Sequence, residues 1–391
     1  QPFAELWMGA HPKAPAVAEA GGAVMPLDKW IAKDPQAVLG SAAERLFGGR
    51  LPYLFKILDV AKMLSIQAHP TRTQAREGFA RENAAGIGLE EDRRNYKDDN
   101  HKPEVGVALT DFWMLHGFRP LKEIAAAFEA APELHAVMPS FAERAAQAGG
   151  DAGAGSRLLR ELYGIVMTMP QERVDLLLGP MLARLKTSST PDKDRPDYWA
   201  VRAAKDFPLP GGHYDRGIFS IYLLNLVHLR PGEGTFQPAG VLHAYLEGVN
   251  VELMANSDNV LRGGLTPKHV DVPELLRILC FESSLPEVLE GEQAVGSAER
   301  VYRTAAEEFE LSRIALQAGL RHSGQARQGP EILLLLEGSA VLTAPGQRLE
   351  LSRGSIVLVP FHTRYDLEPA GDAVFFKAAV PGGEAQGSSL R

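Results

Sequence analysis

The stretch Ser65-Ile66-Gln67-Ala68-His69-Pro70 alternates polar and apolar residues. With the twofold period of a strand it carries Ser65, Gln67 and His69 on one face, and Leu64, Ile66 and Ala68 on the other. A glutamine amide and an imidazole two residues apart then project side by side, close enough to share one cation, and zinc accepts both nitrogen and oxygen donors. The alternatives are a solvated polar face or a core histidine satisfied by hydrogen bonds. A second stretch, Tyr96-Lys97-Asp98-Asp99-Asn100-His101-Lys102-Pro103-Glu104, is too polar for a core. Pro103 stiffens the backbone just ahead of Glu104, which suits a carboxylate that must be aimed at a fixed point. A charge run is otherwise a solvated loop.

The elements that must hold these groups are legible from period and punctuation. Residues 1–12 read as a strand with Glu5, Trp7 and Gly9 on one side. Mixed signals follow over 13–50, with turns at Asp34-Pro35 and Gly48-Gly49. The apolar run 51–60 carries one cation, Lys56, which either snorkels to solvent or points into a pocket suited to an anionic substrate. Residues 71–85 are rich in helix formers and end at Gly86 and Gly88, and 105–113 return to strand composition. Between 120 and 207 the period becomes 3.6, with Leu121, Ile124, Ala125 and Phe128 on one face, and Val174, Leu177, Leu178 and Met181 on another. This predicts a helical insertion whose loops are 149–156 and 188–197.

Strands are expected again over 218–229, 235–238 and 241–245, the last bearing His243. A histidine on such an apolar strand is more often structural than a ligand. Glu252 falls in a strand, whereas Asp258 and Arg262 fall in a loop that Gly263 and Gly264 leave free to turn. A short helix is expected over 273–279 and a linker over 284–298. The remainder has the rhythm of strand and turn, and its His322 and His362, lacking a paired ligand motif, read as packing. The chain is thus mainly β with a helical insertion.

A length of 391 residues accommodates two or three domains. With 41 Lys+Arg against 49 Asp+Glu, a net charge of −8 and no basic run, nothing is built to track a phosphate backbone, so no nucleic acid partner is expected. Cys280 is the single cysteine. No internal disulfide can form, a metal site must come from His, Glu, Asp and Gln, and a reducing, cytoplasmic setting fits. No apolar stretch approaches the roughly 20 residues that span a bilayer, and the start lacks a basic-then-apolar leader, so neither a membrane partner nor export is expected.

Several segments resemble one family. Residues 96–104 are similar to the Tyr-x-Asp-x-Asn-His-Lys-Pro-Glu signature of type I mannose-6-phosphate isomerases. Residues 243–268 resemble their second signature, His-Ala-Tyr-x-x-Gly-x-x-x-Glu-x-Met-Ala-x-Ser-Asp-Asn-x-x-Arg-Ala-Gly-x-Thr-Pro-Lys. Segments 4–12 and 51–56 are also similar, and the strand-turn-strand over 235–245 resembles half of a cupin barrel. The resemblance implies two cupin-like (jelly-roll) barrels plus an α-helical domain. Residues 1–119 with 208–283 would form the catalytic cupin-like domain, 120–207 the helical insertion, and 284–391 a second cupin-like domain without metal ligands. Two departures stand out: Gly263 replaces the usual alanine after the arginine, which is expected to loosen the loop; and the family places an aromatic-Trp-Gly strand before position 1, so a first strand is expected to precede Gln1.

The same resemblance implies one zinc per chain, held by Gln67, His69, Glu104 and His243. The implied reaction is the interconversion of mannose 6-phosphate and fructose 6-phosphate through a cis-enediol. For that chemistry Arg262 is the candidate to stabilise the enediolate, through its fixed guanidinium fork. His101 and Lys102 are the favoured proton shuttle, with Asp258 and Glu252 as further candidates. Lys56, Ser65 and Lys268 would meet the phosphate, Glu252 would also face the substrate, and Tyr245 would wall the pocket. A monomer acting on a small sugar phosphate is expected. Two other classes stay open: an iron-dependent cupin oxygenase, and a non-catalytic sugar-phosphate-binding cupin.

Overall fold

A thirteen-residue strand, His243–Ala255, is the spine of the first half of the molecule. The computed structural model describes residues 4–188 and 192–382, and within them this strand pairs along its length with four others. Its later part is flanked by Tyr53–Val60 and Glu104–Ala108. Its first residues lie between Ile66–Ala68 and Phe112–Phe118. The change of partners occurs at a bulge beside Gly248, whose φ of +122° suits glycine, and where a Cβ would sit 2.5 Å from the Asp111 carbonyl oxygen. With Glu5–Gly9, Leu224–Leu229, Gly234–Gln237 and Leu261–Gly264 these strands make a nine-stranded sheet.

Side-chain alternation divides that sheet into two chemistries. Tyr53, Phe55, Val105, Val107, Val251, Leu253 and Ala255 point outward into an apolar core. The intervening Lys56, Glu104 and Glu252 share the opposite face, where Glu252 is the register partner of both Lys56 and Gly106. Buried charges therefore converge inside the strand-rich unit, beside an apolar group that includes Leu58, Phe112, Met114 and Tyr245.

The helical insertion forms as expected, from Leu121–Ala130 to Pro196–Asp206, and packs on the sheet through Phe118, Tyr163, Leu242 and Leu261. Of the expected loop at 188–197, residues 189–191 lie outside the described range. Two expectations are corrected. The Gly/Ala-rich 149–156 is not all loop, because Asp151 accepts a hydrogen bond from the Ala154 amide and caps the helix Ala152–Thr168. The strand expected from 218 is first a buried helix, Gly217–Leu223, and only then the strand Leu224–Leu229. A short run that is apolar on every side carries no period to tell the two apart. Residues 13–50 hold a hairpin and three short helices, Leu27–Lys33, Pro35–Leu39 and Ser41–Phe47. Other elements fall as read: Glu5–Gly9 within 1–12, of which 1–3 are outside the described range, and Arg72–Ala84, with Thr71 and Gln74 forming a capping box.

Beyond residue 284 a six-stranded and a four-stranded sheet face each other over Ile314, Leu333, Leu335, Leu342, Leu367 and Phe375. His322 here is buried among polar groups as well as apolar ones. Lys377 Nζ stands 2.7 Å from Glu299 Oε1, and the Tyr365 hydroxyl donates to Glu331 at 2.7 Å. The outer face of the six-stranded sheet shares one apolar core with the first sheet, Tyr302, Phe309, Ile332 and Phe376 packing with Leu51, Tyr53 and Phe55.

Candidate metal centre

His69, Glu104 and His243 are each about 1% exposed and offer ligand atoms within 4.8 Å of one another. Three different strands or strand ends deliver them, so the cluster exists only once the sheet is assembled. Each imidazole is oriented from behind. His69 Nδ1 donates to the Asn259 carbonyl at 2.7 Å and His243 Nδ1 donates to the Val241 carbonyl at 3.1 Å. Both Nε2 atoms therefore keep lone pairs, directed at Glu104: His69 Nε2 to Oε1 at 3.5 Å and His243 Nε2 to Oε2 at 3.3 Å. Burial pushes the His69 imidazole down to about 4.

Two of these atoms, His69 Nε2 and Glu104 Oε2, are buried with no hydrogen-bond partner. Leaving such groups bare costs about 1–3 kcal/mol each. A divalent cation between two neutral imidazoles and a carboxylate removes that cost, so the residues fit a metal. Glu104 is ready for it: burial raises its carboxyl, but Lys102, whose Nζ is 3.0 Å away, together with the two histidines holds it well below the usual range. Gln67 faces His243 across the ladder with its amide nitrogen 3.4 Å from Nε2. A half-turn of the amide presents the oxygen instead, as a fourth donor.

Around the cluster the other expected residues separate into groups. Lys56 Nζ lies 3.1 Å from Glu252 Oε1, the Tyr245 hydroxyl donates to Glu252 Oε2 at 2.8 Å, and the Trp7 ring covers the ammonium at 5.1 Å. Desolvation works against the Lys56 charge, but Glu252 and Glu104 more than offset it and raise its pKa. Arg262 sits directly opposite Gln67, in the strand Leu261–Gly264 rather than in the expected loop. Its guanidinium is lowered by burial, and among the described residues no carboxylate pairs with it. Asp258 lies 3.5 Å from His11 Nε2 and 2.9 Å from Lys13 Nζ. Against some burial these hydrogen bonds, His11 foremost, hold its carboxyl far below the usual range. His101 Nε2 contacts Glu308 at 2.7 Å. Among the described residues Ser65 and Lys268 make no side-chain hydrogen bond or ion pair with this group.

Gly263 does not loosen a loop. It makes room: a Cβ there would lie 2.6 Å from the hydroxyl of Tyr163, a fully buried residue of the helical insertion. Sequence reasoning also missed the groups that tie the two signatures together. Asp98 Oδ1 accepts from Ser257 Oγ at 2.8 Å and Asp98 Oδ2 from the Asp258 amide at 2.8 Å. Asn259 donates to the carbonyls of Asp98 and Asn100 at 2.9 and 2.8 Å, and accepts from the Lys97 amide at 2.6 Å. An Asx-rich loop was the available signal. Gln237, the register partner of Glu104 and fully buried, was also missed, because the short strand Gly234–Gln237 shows no period that marks which face is enclosed.

Known proteins are similar to this chain over most of its length. The family model for the type I phosphomannose isomerase catalytic domain matches residues 1–121. The mannose-6-phosphate isomerase of Escherichia coli is 38% identical over 361 residues, which is 92% of this chain and 87% of that protein. Mannose-6-phosphate isomerase 1 of Arabidopsis thaliana is 33% identical, over 97% of this chain and 85% of its own length. Among solved structures, a variant of phosphomannose isomerase from Salmonella typhimurium superimposes with a TM-score of 0.86 at 34% identity, covering 98% of this chain and 92% of its own. A zinc-bound mannose 6-phosphate isomerase does so at 0.83 and 35%, covering 97% and 92%. With identity of this order over more than nine-tenths of this chain and at least 85% of each relative, the chain belongs to the type I phosphomannose isomerase family.

Proposed function

We propose that this chain is a zinc-dependent aldose-ketose isomerase that interconverts D-mannose 6-phosphate and D-fructose 6-phosphate through a cis-enediol. The observation that carries the reading is the buried meeting of His69, Glu104 and His243, with lone pairs turned inward and, among the described residues, no hydrogen-bond partner for His69 Nε2 or Glu104 Oε2. Gln67, His69, Glu104 and His243 would hold one zinc. Bound there, zinc supplies a Lewis acid beside the substrate oxygens.

The chain's own groups account for the rest of the reaction. Opening the sugar exposes a carbonyl, and the proton on the adjacent carbon must leave C2 and return at C1. His101 and Lys102 adjoin the Glu104 ligand and are the groups placed to move it. Arg262, with no carboxylate partner among the described residues, is free to meet the developing enediolate oxygen through two parallel N–H donors. Asp258 is held ionised by His11 and Lys13, which suits an acceptor for a sugar hydroxyl rather than a proton donor. Lys56 joins Glu252 and Tyr245 in a buried trio that forms a rigid polar wall. Ser65 and Lys268 complete the proposed phosphate contacts.

The proposal extends to organisation. Residues 1–119 with 208–283 form a catalytic cupin-like barrel, 120–207 an inserted helical domain, and 284–391 a second cupin-like barrel. The separate sheets on either side of residue 284 support this division. No helix among the described residues is long and apolar enough to cross a membrane. A monomer in the cytoplasm, its one cysteine reduced, is the matching setting.

Purified protein should convert mannose 6-phosphate to fructose 6-phosphate, lose the activity on chelation, and regain it when zinc is added. A folded, zinc-loaded chain that binds the sugar phosphate without turning it over would instead be a binding protein, and the isomerase reading would fail.

A further inference from the structure

Glu308 lies beyond both signatures in the sequence, yet its carboxylate reaches His101 in the first of them. Its Oε1 is the shared acceptor of two donors, His101 Nε2 at 2.7 Å and Arg72 Nη2. Arg72 Nη1 also stands 3.6 Å from Glu307. The side chain of Glu308 is 2% exposed, whereas those of His101 and Arg72 are 22% and 37% exposed, so the buried carboxylate stands behind two groups that reach the surface of the site. Burial raises the Glu308 carboxyl, but His101 and Arg72 outweigh it and keep it ionised, below its ordinary range. The backbone that presents it is fixed: the adjacent Phe309 is 1% exposed and packs, with Ala306, in the core shared by the two halves.

The chemistry of the contact determines which imidazole nitrogen holds the proton. An ionised carboxylate only accepts, and so does not supply a hydrogen to the ring. Arg72 Nη2, which carries two hydrogens, is 2.8 Å from the same Nε2 and gives one of them to Oε1; but at 2.7 Å from an ionised carboxylate oxygen a bare Nε2 lone pair would face another lone pair and repel it. The hydrogen between His101 and Glu308 must therefore be on Nε2, which leaves Nδ1 with its lone pair in the neutral ring. Among the described residues that Nδ1 makes no hydrogen bond.

We infer that Glu308 is a positioning residue, contributed by the C-terminal half, which fixes His101 as the Nε2–H tautomer with Nδ1 open to take a proton. The inference rests on the isomerase reading, because it is that reaction which gives His101 a proton to move. It also gives the C-terminal half, which supplies no metal ligand, a part in the site.

The test uses zinc-loaded protein labelled with 15N-histidine. His101 signals are assigned by their loss in His101→Asn, and the tautomer is read from long-range 1H–15N correlations. The wild type is expected to show Nε2–H at His101, and Glu308→Ala a mixture of tautomers. In Glu308→Ala kcat should fall about 10–100-fold, the usual effect of losing a supporting partner, with KM within about threefold. Glu308→Asp should recover most of the turnover. If Glu308→Ala does not fold, Glu308→Gln, of the same shape, replaces it, with kcat expected below that of Glu308→Asp. An Nδ1–H signal for His101 in the wild type, or unchanged turnover in the folded neutral variant, would overturn the inference. Absence of turnover in the zinc-loaded wild type is a different result, because it removes the isomerase reading itself.

Discussion

Gly263 illustrates how one missing methyl group is absorbed. The hydroxyl of Tyr163 occupies the space a Cβ would need, 2.6 Å away, with Ile66 Cγ2 a further 3.2 Å neighbour. Because Ile66 belongs to the strand that carries Gln67, crowding at 263 is felt at the metal centre. Gly263→Ala should cost about 1–3 kcal/mol, the usual price of overpacking. Tyr163→Phe, which withdraws the hydroxyl, should restore most of it. Urea unfolding of the single and double variants measures this, and equal losses in both backgrounds would refute the account. Of the proposed ligands, Gln67 and His69 stood out because a strand's twofold period puts them on one face whatever the register, whereas His243 read as structural and joined them only through the family resemblance. Glu308 was not legible, because its partner His101 is 207 positions away and only packing joins them.

At the scale of elements, the bend in the strand His243–Ala255 lets a single segment line the site with His243, Tyr245 and Glu252. Gly248→Ala would place a methyl 2.5 Å from the Asp111 carbonyl on a backbone at φ +122°. A loss above about 2 kcal/mol is expected, together with weaker zinc retention. Thermal unfolding and metal analysis would check it, and a variant as stable as wild type would show that the bend does not need glycine.

A second tie joins the helix Arg72–Ala84, the loop at Tyr96 and the helix Val272–Ile278. Glu274 accepts from the Tyr96 hydroxyl at 2.5 Å, from Arg81 at 2.6 Å and from Arg277 at 2.6 Å. Partial burial raises its carboxyl, but Arg277 and Tyr96 dominate and bring it down from 4.5 to about 2. A depressed folded pKa stabilises fully above the unfolded value, and the contribution fades as pH falls from 4.5 towards about 2. The stability gap between wild type and Glu274→Gln should therefore be constant near neutrality and shrink over that interval. A gap independent of pH would exclude the linkage. Helices with a clear 3.6 period, such as Leu121–Ala130, were readable in the sequence, whereas Gly217–Leu223, buried on every side, was not.

For the whole molecule, the boundary near 284 separates sheets but not cores. Tyr53, fully buried on the first sheet, donates its hydroxyl to the Pro330 carbonyl at 2.9 Å, and Phe376 and Ala378 pack in the same apolar group as Phe55 and Leu253. A fragment ending at residue 283 should therefore bind the dye ANS and lack a cooperative unfolding transition, whereas the full chain should unfold in one step. A fragment with native-like near-ultraviolet circular dichroism would disprove this dependence. The strand Ala373–Ala379, which covers that face, is synthesised well after Leu253. On a ribosome adding about 5–20 residues per second, the outward face of Phe55, Val105 and Leu253 waits on the order of ten seconds for its cover. Biosynthesis thus includes an interval in which the nascent chain displays a sticky sheet, and its yield in a cell depends on whatever shields that surface until the covering strand arrives.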